Sequence, residues 1–154
     1  MRRKDREVTD INTIAYILDK CKVLHLGLVD ENEPYIVPMN FGYKMEDSKL
    51  TIFVHSALEG RKIDVIRKNS RCCVQMECDG SLIENEIACK YGYSFYSLEG
   101  FGTAKILENP EEKIIALKLL MKQQTGKDFE FTAEMVANVN VIRIDCDCYS
   151  AKHR

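Results

Sequence analysis

Apolar and polar residues alternate over several short stretches in the first half of the chain, a pattern typical of β-strands. The segment before these stretches differs, because its apolar residues recur at helical spacing. It predicts a helix over residues 10–21 with Asp10 as N-cap. Strands are predicted over residues 23–29, 35–43 and 49–55. The polar turns between them are too short to hold crossover helices, so the three strands should pair antiparallel.

The second half of the chain mixes helical and extended patterns. Its clearest signal is a helix that Asn109 caps, that Pro110 opens and that Gly126 ends. Residues 79–90 show no clear pattern. The other predicted elements are a helix over 57–68, strands over 72–78 and 139–144, an extended stretch over 91–107 interrupted by Gly92, Gly100 and Gly102, and a C-terminal tail over 149–154.

This order of elements predicts a mainly β fold with peripheral α-helices. Three hairpin-linked strands, followed by strands that single helices separate, are typical of an antiparallel barrel. A doubly wound parallel sheet is disfavoured, because it needs a helix after nearly every strand and a Gly-x-Gly-x-x-Gly loop after the first one. The length of 154 residues fits one domain, so residues 1–154 are expected to form a single unit.

Charge and composition narrow the range of partners. Lys and Arg number 22 against 24 Asp and Glu, a balance that favours neither a nucleic-acid nor a membrane partner. No window approaches the roughly 18 apolar residues of a membrane helix, and the N-terminus does not resemble a signal peptide, so a cytoplasmic protein is expected. The seven cysteines are odd in number and include no Cys-x-x-Cys pair, which favours free thiols over disulfides or a metal site.

The segment over residues 55–62 is the most informative for chemistry, because it joins a predicted strand end to a predicted helix start. Free N–H groups and the positive end of a helix dipole suit a phosphate. Ser56 adds a hydroxyl donor, and Arg61 and Lys62 add positive charge. The alternative is a capping box of Ser56 and Glu59 that satisfies the same N–H groups internally, with Arg61 and Lys62 on a solvated face.

The segment over residues 34–43 carries a proline inside a predicted strand. Proline removes a ladder donor, so Pro38 should lie at a sheet edge or a bulge. A backbone left partly unpaired there could hydrogen-bond the polar edge of a flat heterocycle. Alternatively, Pro38 only protects an edge against aggregation.

These two segments, in this order, resemble the signature of the pyridoxamine-phosphate-oxidase-like flavoproteins, and most of all their 5-nitroimidazole resistance (nitroimidazole reductase) family. The resemblance extends to the opening residues 1–7, to the stretch over 97–104 and to the helix start at 110–113. It therefore covers nearly the whole chain.

The resemblance implies a split β-barrel homodimer with two FMN molecules at the subunit interface. It places the strand over residues 100–102 near the site or the dimer interface. The flavin ring would lie along Val37, Pro38, Met39 and Asn40, and the ribityl phosphate among His55, Ser56, Arg61 and Lys62.

By the same resemblance, the chain is expected to be an FMN-dependent oxidoreductase with a small-molecule electron donor and a nitroaromatic or similar acceptor. His55 could deliver a proton or orient the substrate, or it could only hydrogen-bond a carbonyl or the phosphate. His25 is expected to be structural, and His153 to lie on a mobile tail. The alternative function is an FMN-binding carrier or redox sensor without steady turnover.

Overall fold

Tight turns with left-handed residues fold the first half of the chain into hairpins. The computed structural model describes residues 2–154, and Glu31, Asp47 and Ser48 have φ angles of 58°, 48° and 62° in these turns. The strands are β1 (Glu7–Val8), β2 (Val23–Asp30), β3 (Glu33–Glu46), β4 (Lys49–Ser56), β5 (Arg71–Ile83), β6 (Gly92–Ile106) and β7 (Asn140–His153). The helices are α1 (Ile11–Lys20), α2 (Arg61–Lys68), α3 (Pro110–Thr125) and α4 (Ala133–Ala137).

Six of the strands close into a barrel. Their order is β7-β4-β3-β2-β5-β6, and β6 pairs back onto β7 to complete the ring. All pairs are antiparallel, and β1 adds two residues to the end of β7. The structure confirms the predicted antiparallel split barrel with peripheral helices.

The barrel interior is filled by the alternating apolar residues of the strands and by two helices. Leu24, Leu26 and Leu28 of β2 are buried, as the period of a half-buried strand requires. Helix α1 lies at one end of the barrel, where Tyr16 contacts Asp79 of β5. Helix α2 lies at the opposite end, where Arg61 contacts Asp30 at the end of β2. Both helices bury apolar side chains in the same core cluster, among them Ile14, Ile17, Leu18, Ile63, Val65 and Ile66.

Helices α1 and α3 begin and end close to where local signals place them. The Asp10 side chain accepts a hydrogen bond from the Thr13 N–H at 2.9 Å, which caps α1. Asn109 accepts bonds from the second and third residues of α3, and Gly126 ends that helix with φ 74°. None of the helices within residues 2–154 is long and apolar enough to cross a membrane.

Other predicted boundaries are wrong. Helix α2 begins at Arg61, four residues later than predicted, because Gly60 takes φ 136° and ψ 161°, which is not helical. Residues 149–154 are not a tail, since β7 continues to His153 by pairing with β6. Strand β5 likewise continues to Ile83 beyond an irregularity after Cys78. The short helix α4 was not predicted.

Helix α3 packs on the outside of the barrel against β3 at a glycine. A Cβ on Gly42 would lie 2.5 Å from Cα of Leu120 and 2.6 Å from the carbonyl carbon of Leu119. These are backbone atoms, so a side chain at this position cannot be accommodated by a rotamer change. Gly42 therefore sets the distance between α3 and the barrel.

We expect Gly42→Ala to lower the free energy of unfolding by about 2–3 kcal/mol, because it forces α3 away from β3. Urea denaturation followed by circular dichroism measures this change. Gly27→Ala is the matched control, since its Cβ would meet Cys73 O at an ordinary 3.5 Å. Equal destabilisation by the two changes would contradict the close approach of α3 as the cause.

Candidate functional site

One edge of β3 is open over half of the strand. Strand β4 pairs with β3 only over Phe41–Glu46, whereas residues 33–40 pair with β2 alone. The edge of residues 33–40 that faces away from β2 therefore carries unpaired backbone groups beside the end of β4. Pro38 lies on this open edge, as predicted from its missing N–H.

The side chains of this open segment point to two different sides. Met39 is buried in the barrel, and Val37 is half-buried against the same core. The end of the Met39 side chain therefore points away from a ligand on the open edge. Pro38 and Asn40 are exposed on the outer face. The Asn40 amide donates hydrogen bonds to the Lys22 carbonyl at 3.0 Å and to Gln124 Oε1 at 3.2 Å. A flat ligand along this edge would contact backbone and the outer side chains.

The end of β4 lies next to the open edge. Phe41 of β3 pairs with Val54 of β4. Continuing this register by one residue places Asn40 and His55 opposite each other. His55 is exposed, whereas Ser56 is only 8% exposed. The Ser56 hydroxyl donates a hydrogen bond to the Ala57 carbonyl at 2.9 Å. His55 is thus presented to solvent beside the open edge, and Ser56 would have to rotate its hydroxyl to donate to a ligand.

The start of α2 has no side-chain cap. Gly60 is the N-cap residue, so Ser56 and Glu59 do not form the capping box that the sequence allowed. The first N–H that bonds within the turn is that of Ile63, which donates to the Gly60 carbonyl at 2.9 Å. In the described chain the N–H groups of Arg61 and Lys62 have no hydrogen-bond partner. They are available to an anion at the positive end of the helix dipole.

The two cations at this helix start are held differently. Arg61 Nε lies 2.8 Å from Asp30 Oδ2, and its guanidinium lies 4.6 Å from the centre of the Tyr35 ring. These contacts fix the side chain across the β2–β3 hairpin and leave its terminal nitrogens for a ligand. Lys62 is half-buried, and none of the ion pairs within residues 2–154 includes it. Its ammonium group is the uncompensated positive charge of the site.

The structure therefore brings the two predicted segments together at one end of the barrel. The open edge of β3 suits a planar group with hydrogen-bonding atoms along its rim. The start of α2 suits a phosphate. A ligand that carries a phosphate at one end and a flat heterocycle at the other fits this arrangement.

Several residues that shape the site were missed by sequence reasoning. Asp30 and Tyr35 hold Arg61, Gln124 of α3 holds Asn40, and Asn140 of β7 holds the loop between β4 and α2. Each acts across a large sequence separation. Tyr35 lies within the segment over residues 34–43, but no local pattern indicates its contact with Arg61.

The other two histidines contact neighbouring side chains, and His25 lies directly opposite Pro38 across β2 and β3. His25 faces outward on β2 and contacts Gln75 Oε1 at 3.2 Å, which supports the expected structural role. His153 belongs to β7 and stacks on Tyr96, with ring centres 4.0 Å apart, so the predicted mobile tail is wrong. The ordering comes from the pairing of β7 with β6.

Three of the seven cysteines have thiols whose pKa is raised mainly by burial. Burial raises the pKa of the Cys21 and Cys146 thiols to about 12 and that of Cys72 to about 11. Such thiols remain protonated at neutral pH and are poor nucleophiles. Residues 2–154 contain no group of three or more His, Cys, Asp or Glu side chains that could hold a metal ion.

Comparisons with known proteins agree with this geometry. The sequence profile of the pyridoxamine 5'-phosphate oxidase family matches residues 10–153. A candidate 5-nitroimidazole antibiotic resistance protein from Bacteroides thetaiotaomicron is 30% identical and superposes with a TM-score of 0.82, over 96% of this chain and 86% of that one. No curated protein matches the chain.

Two further solved structures share the fold at low sequence identity. The FAD and haem binding protein from Mycobacterium smegmatis is 16% identical, with a TM-score of 0.81 over 96% of this chain and 73% of that one. The flavocytochrome Anf3 from Azotobacter vinelandii is 18% identical, with a TM-score of 0.80 over 100% of this chain and 72% of that one.

Proposed function

Because this chain belongs to the pyridoxamine 5'-phosphate oxidase family of flavin-binding split barrels, we propose that it is an FMN-dependent oxidoreductase that reduces nitroaromatic or similar small acceptors. The observation that carries the proposal is the open edge of β3 beside the uncapped start of α2. These two features offer a ring site and a phosphate site on one surface. The 30% identical relative, a candidate 5-nitroimidazole resistance protein, supports the class of acceptor.

The residues present fit FMN. The backbone of Val37, Pro38 and Met39 would hydrogen-bond the polar rim of the flavin ring, with Asn40 bordering it. At the other end, the N–H groups at the start of α2 would receive the phosphate, together with the hydroxyl of Ser56 and the charges of Arg61 and Lys62. When bound, FMN would supply the redox chemistry by accepting electrons from a reduced pyridine nucleotide and passing them to the acceptor.

His55 is the candidate proton donor for this reaction. Its exposed imidazole stands beside Asn40 at the open edge, so an acceptor lying on the flavin ring would be within its reach. Reduction of a nitro group consumes protons as well as electrons, and imidazole can deliver a proton near neutral pH. Protonation by His55 would complete each electron transfer to the acceptor.

The test of this function is a turnover assay on the FMN-loaded protein. NADH or NADPH should bleach the flavin absorbance, and a nitroaromatic such as metronidazole should restore it over many cycles. An FMN carrier or redox sensor would instead bind FMN tightly and show slow bleaching that no acceptor accelerates. The cytoplasm, where reduced pyridine nucleotides are available, is the proposed compartment.

We also propose that the protein acts as a homodimer with the flavin at the subunit interface. A row of side chains crosses the outer face of the barrel in register and is called here the outer row. Ile36 and Phe101 in this row are 66% and 45% exposed, and the positions between them, Gly27 and Cys73, carry no charged side chain, so the row offers an apolar strip to a partner. The outer row consists of Ile36, Gly27, Cys73, Phe101 and Cys148.

The position of the outer row relative to the candidate site supports this partner. Ile36 lies two residues before Pro38 on the same outer face of β3, because side chains alternate along a strand. A second copy that covers the outer row would therefore also cover the outer side of the flavin edge. Phe101, in the strand over residues 100–102, would lie at this interface.

We expect Ile36→Glu to weaken dimerisation at least about tenfold, because it would bury an unpaired carboxylate in the interface. Sedimentation-velocity ultracentrifugation across a dilution series measures the change. Ile115→Glu is the matched control, since Ile115 is 59% exposed on α3, away from the outer row. A wild-type monomer, or an Ile36→Glu dimer as tight as the wild type, would contradict this interface.

A further inference from the structure

Two polar side chains are buried at the end of the barrel that carries the candidate site. Ser56 at the end of β4 and Asn140 at the start of β7 are each 8% exposed, and they are directly paired across the two strands. A buried amide is costly unless its donors are hydrogen-bonded. The partners of Asn140 therefore explain why this residue is there.

Asn140 holds the β4–α2 loop (residues 57–60) from a distant part of the chain. Its side-chain nitrogen donates a hydrogen bond to the Leu58 carbonyl at 2.8 Å and a longer one to the Ala57 carbonyl at 3.3 Å. All four loop residues are exposed, so packing does little to fix the loop. Asn140 and Ser56 supply the side-chain hydrogen bonds that reach its carbonyls.

These bonds set the direction of the loop N–H groups. Residues 2–154 contain no cis peptide bond, and in a trans peptide the C=O and N–H of one plane point in opposite directions. The carbonyls of Ala57 and Leu58 point toward Asn140. The N–H groups of Leu58 and Glu59, which belong to the same two peptides, must therefore point away from it, to the outer side of the loop.

From this geometry we infer that Asn140 is a positioning residue that arranges the β4–α2 loop N–H groups to bind the phosphate of the flavin. The inference rests on the proposed function, because it assumes that the ligand at the start of α2 is a flavin phosphate. The loop N–H groups join those of Arg61 and Lys62, which are also free. Asn140 does not touch the phosphate and acts through the loop alone.

The test compares FMN with riboflavin, which has the same ring but no phosphate. The dissociation constants of both are measured on the apoprotein by flavin fluorescence quenching, for the wild type, Asn140→Ala and Asn140→Leu. The exposed neighbour Asn138 provides a matched control, Asn138→Ala. Asn140→Leu keeps the branched shape of the side chain and removes the donor without adding a charge, and it serves if the alanine variant does not fold.

We expect both Asn140 variants to weaken FMN binding about tenfold, which corresponds to the loss of about one hydrogen bond. The dissociation constant of riboflavin should stay within about twofold of the wild-type value. Asn138→Ala should change neither constant. Equal weakening of FMN and riboflavin, or an unchanged preference for FMN, would overturn the positioning role while leaving the FMN site in place. A wild-type protein that does not prefer FMN over riboflavin would instead overturn the phosphate site, and this inference with it.

Discussion

Replacing Lys62 by glutamate should weaken FMN binding about 100-fold. The ammonium group of Lys62 is the uncompensated positive charge at the start of α2, and a charged hydrogen bond to phosphate is worth about 1.5–3 kcal/mol. The reversed charge adds repulsion at the position where the phosphate would lie. Fluorescence titration of the apoprotein with FMN measures the loss.

Lys68→Glu is the matched control for this change. It makes the same change of charge on the same helix, but Lys68 is exposed in the last turn, away from the free N–H groups. Its FMN affinity should stay within about threefold of the wild type, since exposed charges at that distance are screened. An undiminished FMN affinity in Lys62→Glu would show that the phosphate is bound elsewhere.

His55→Ala should retain FMN and lose turnover. General acid catalysis contributes about 10²–10⁴-fold, so reduction of a nitroaromatic should slow at least about 100-fold. The two half-reactions separate this effect from a change in the cofactor site. Bleaching of the flavin by NADH or NADPH should proceed at the wild-type rate, and reoxidation by the nitroaromatic should be slow in stopped-flow absorbance traces.

His153→Ala is the control for His55, because His153 is also an exposed strand histidine but stacks on Tyr96 at the opposite end of β7 from Asn140. It should leave both half-reactions unchanged. If His55→Ala reoxidised as fast as the wild type, the imidazole would have no role in proton delivery. If it lost FMN instead, His55 would belong to the phosphate site alone.

Local signals predicted the parts of the fold that local interactions determine. Helix α3 is an example, because Asn109, Pro110 and Gly126 each act on their own neighbours. The alternation of β2 with leucines inside the barrel is another. The antiparallel pairing of the first three strands was predicted because the turns between them are too short to hold crossover helices.

Long-range pairing explains what the sequence did not predict. The C-terminal residues read as a polar tail, but β6 supplies partners for β7 up to His153. The start of α2 was misplaced because Ser56 and Glu59 have the spacing of a capping box, whereas the backbone of Gly60 delays the helix.

Only the parts of the candidate site that local residues mark could be predicted from the sequence. Residues 34–43 and 55–62 could be singled out from their own prolines and cations, and the structure places them side by side. Asn140 could not, because its contacts with Ala57 and Leu58 join positions more than 80 residues apart. Its role follows only from the pairing of β4 with β7.

The most direct measurement is an absorption spectrum of the purified protein, followed by denaturation and chromatographic identification of the released cofactor. We expect the bands of an oxidised flavin and the release of FMN, in a ratio of about one per chain. If FAD were released, the proposed flavin-ring site would be supported, but the proposal that the cofactor is FMN would be wrong. A colourless protein that also failed to take up added FMN would contradict the flavin site at the open edge of β3.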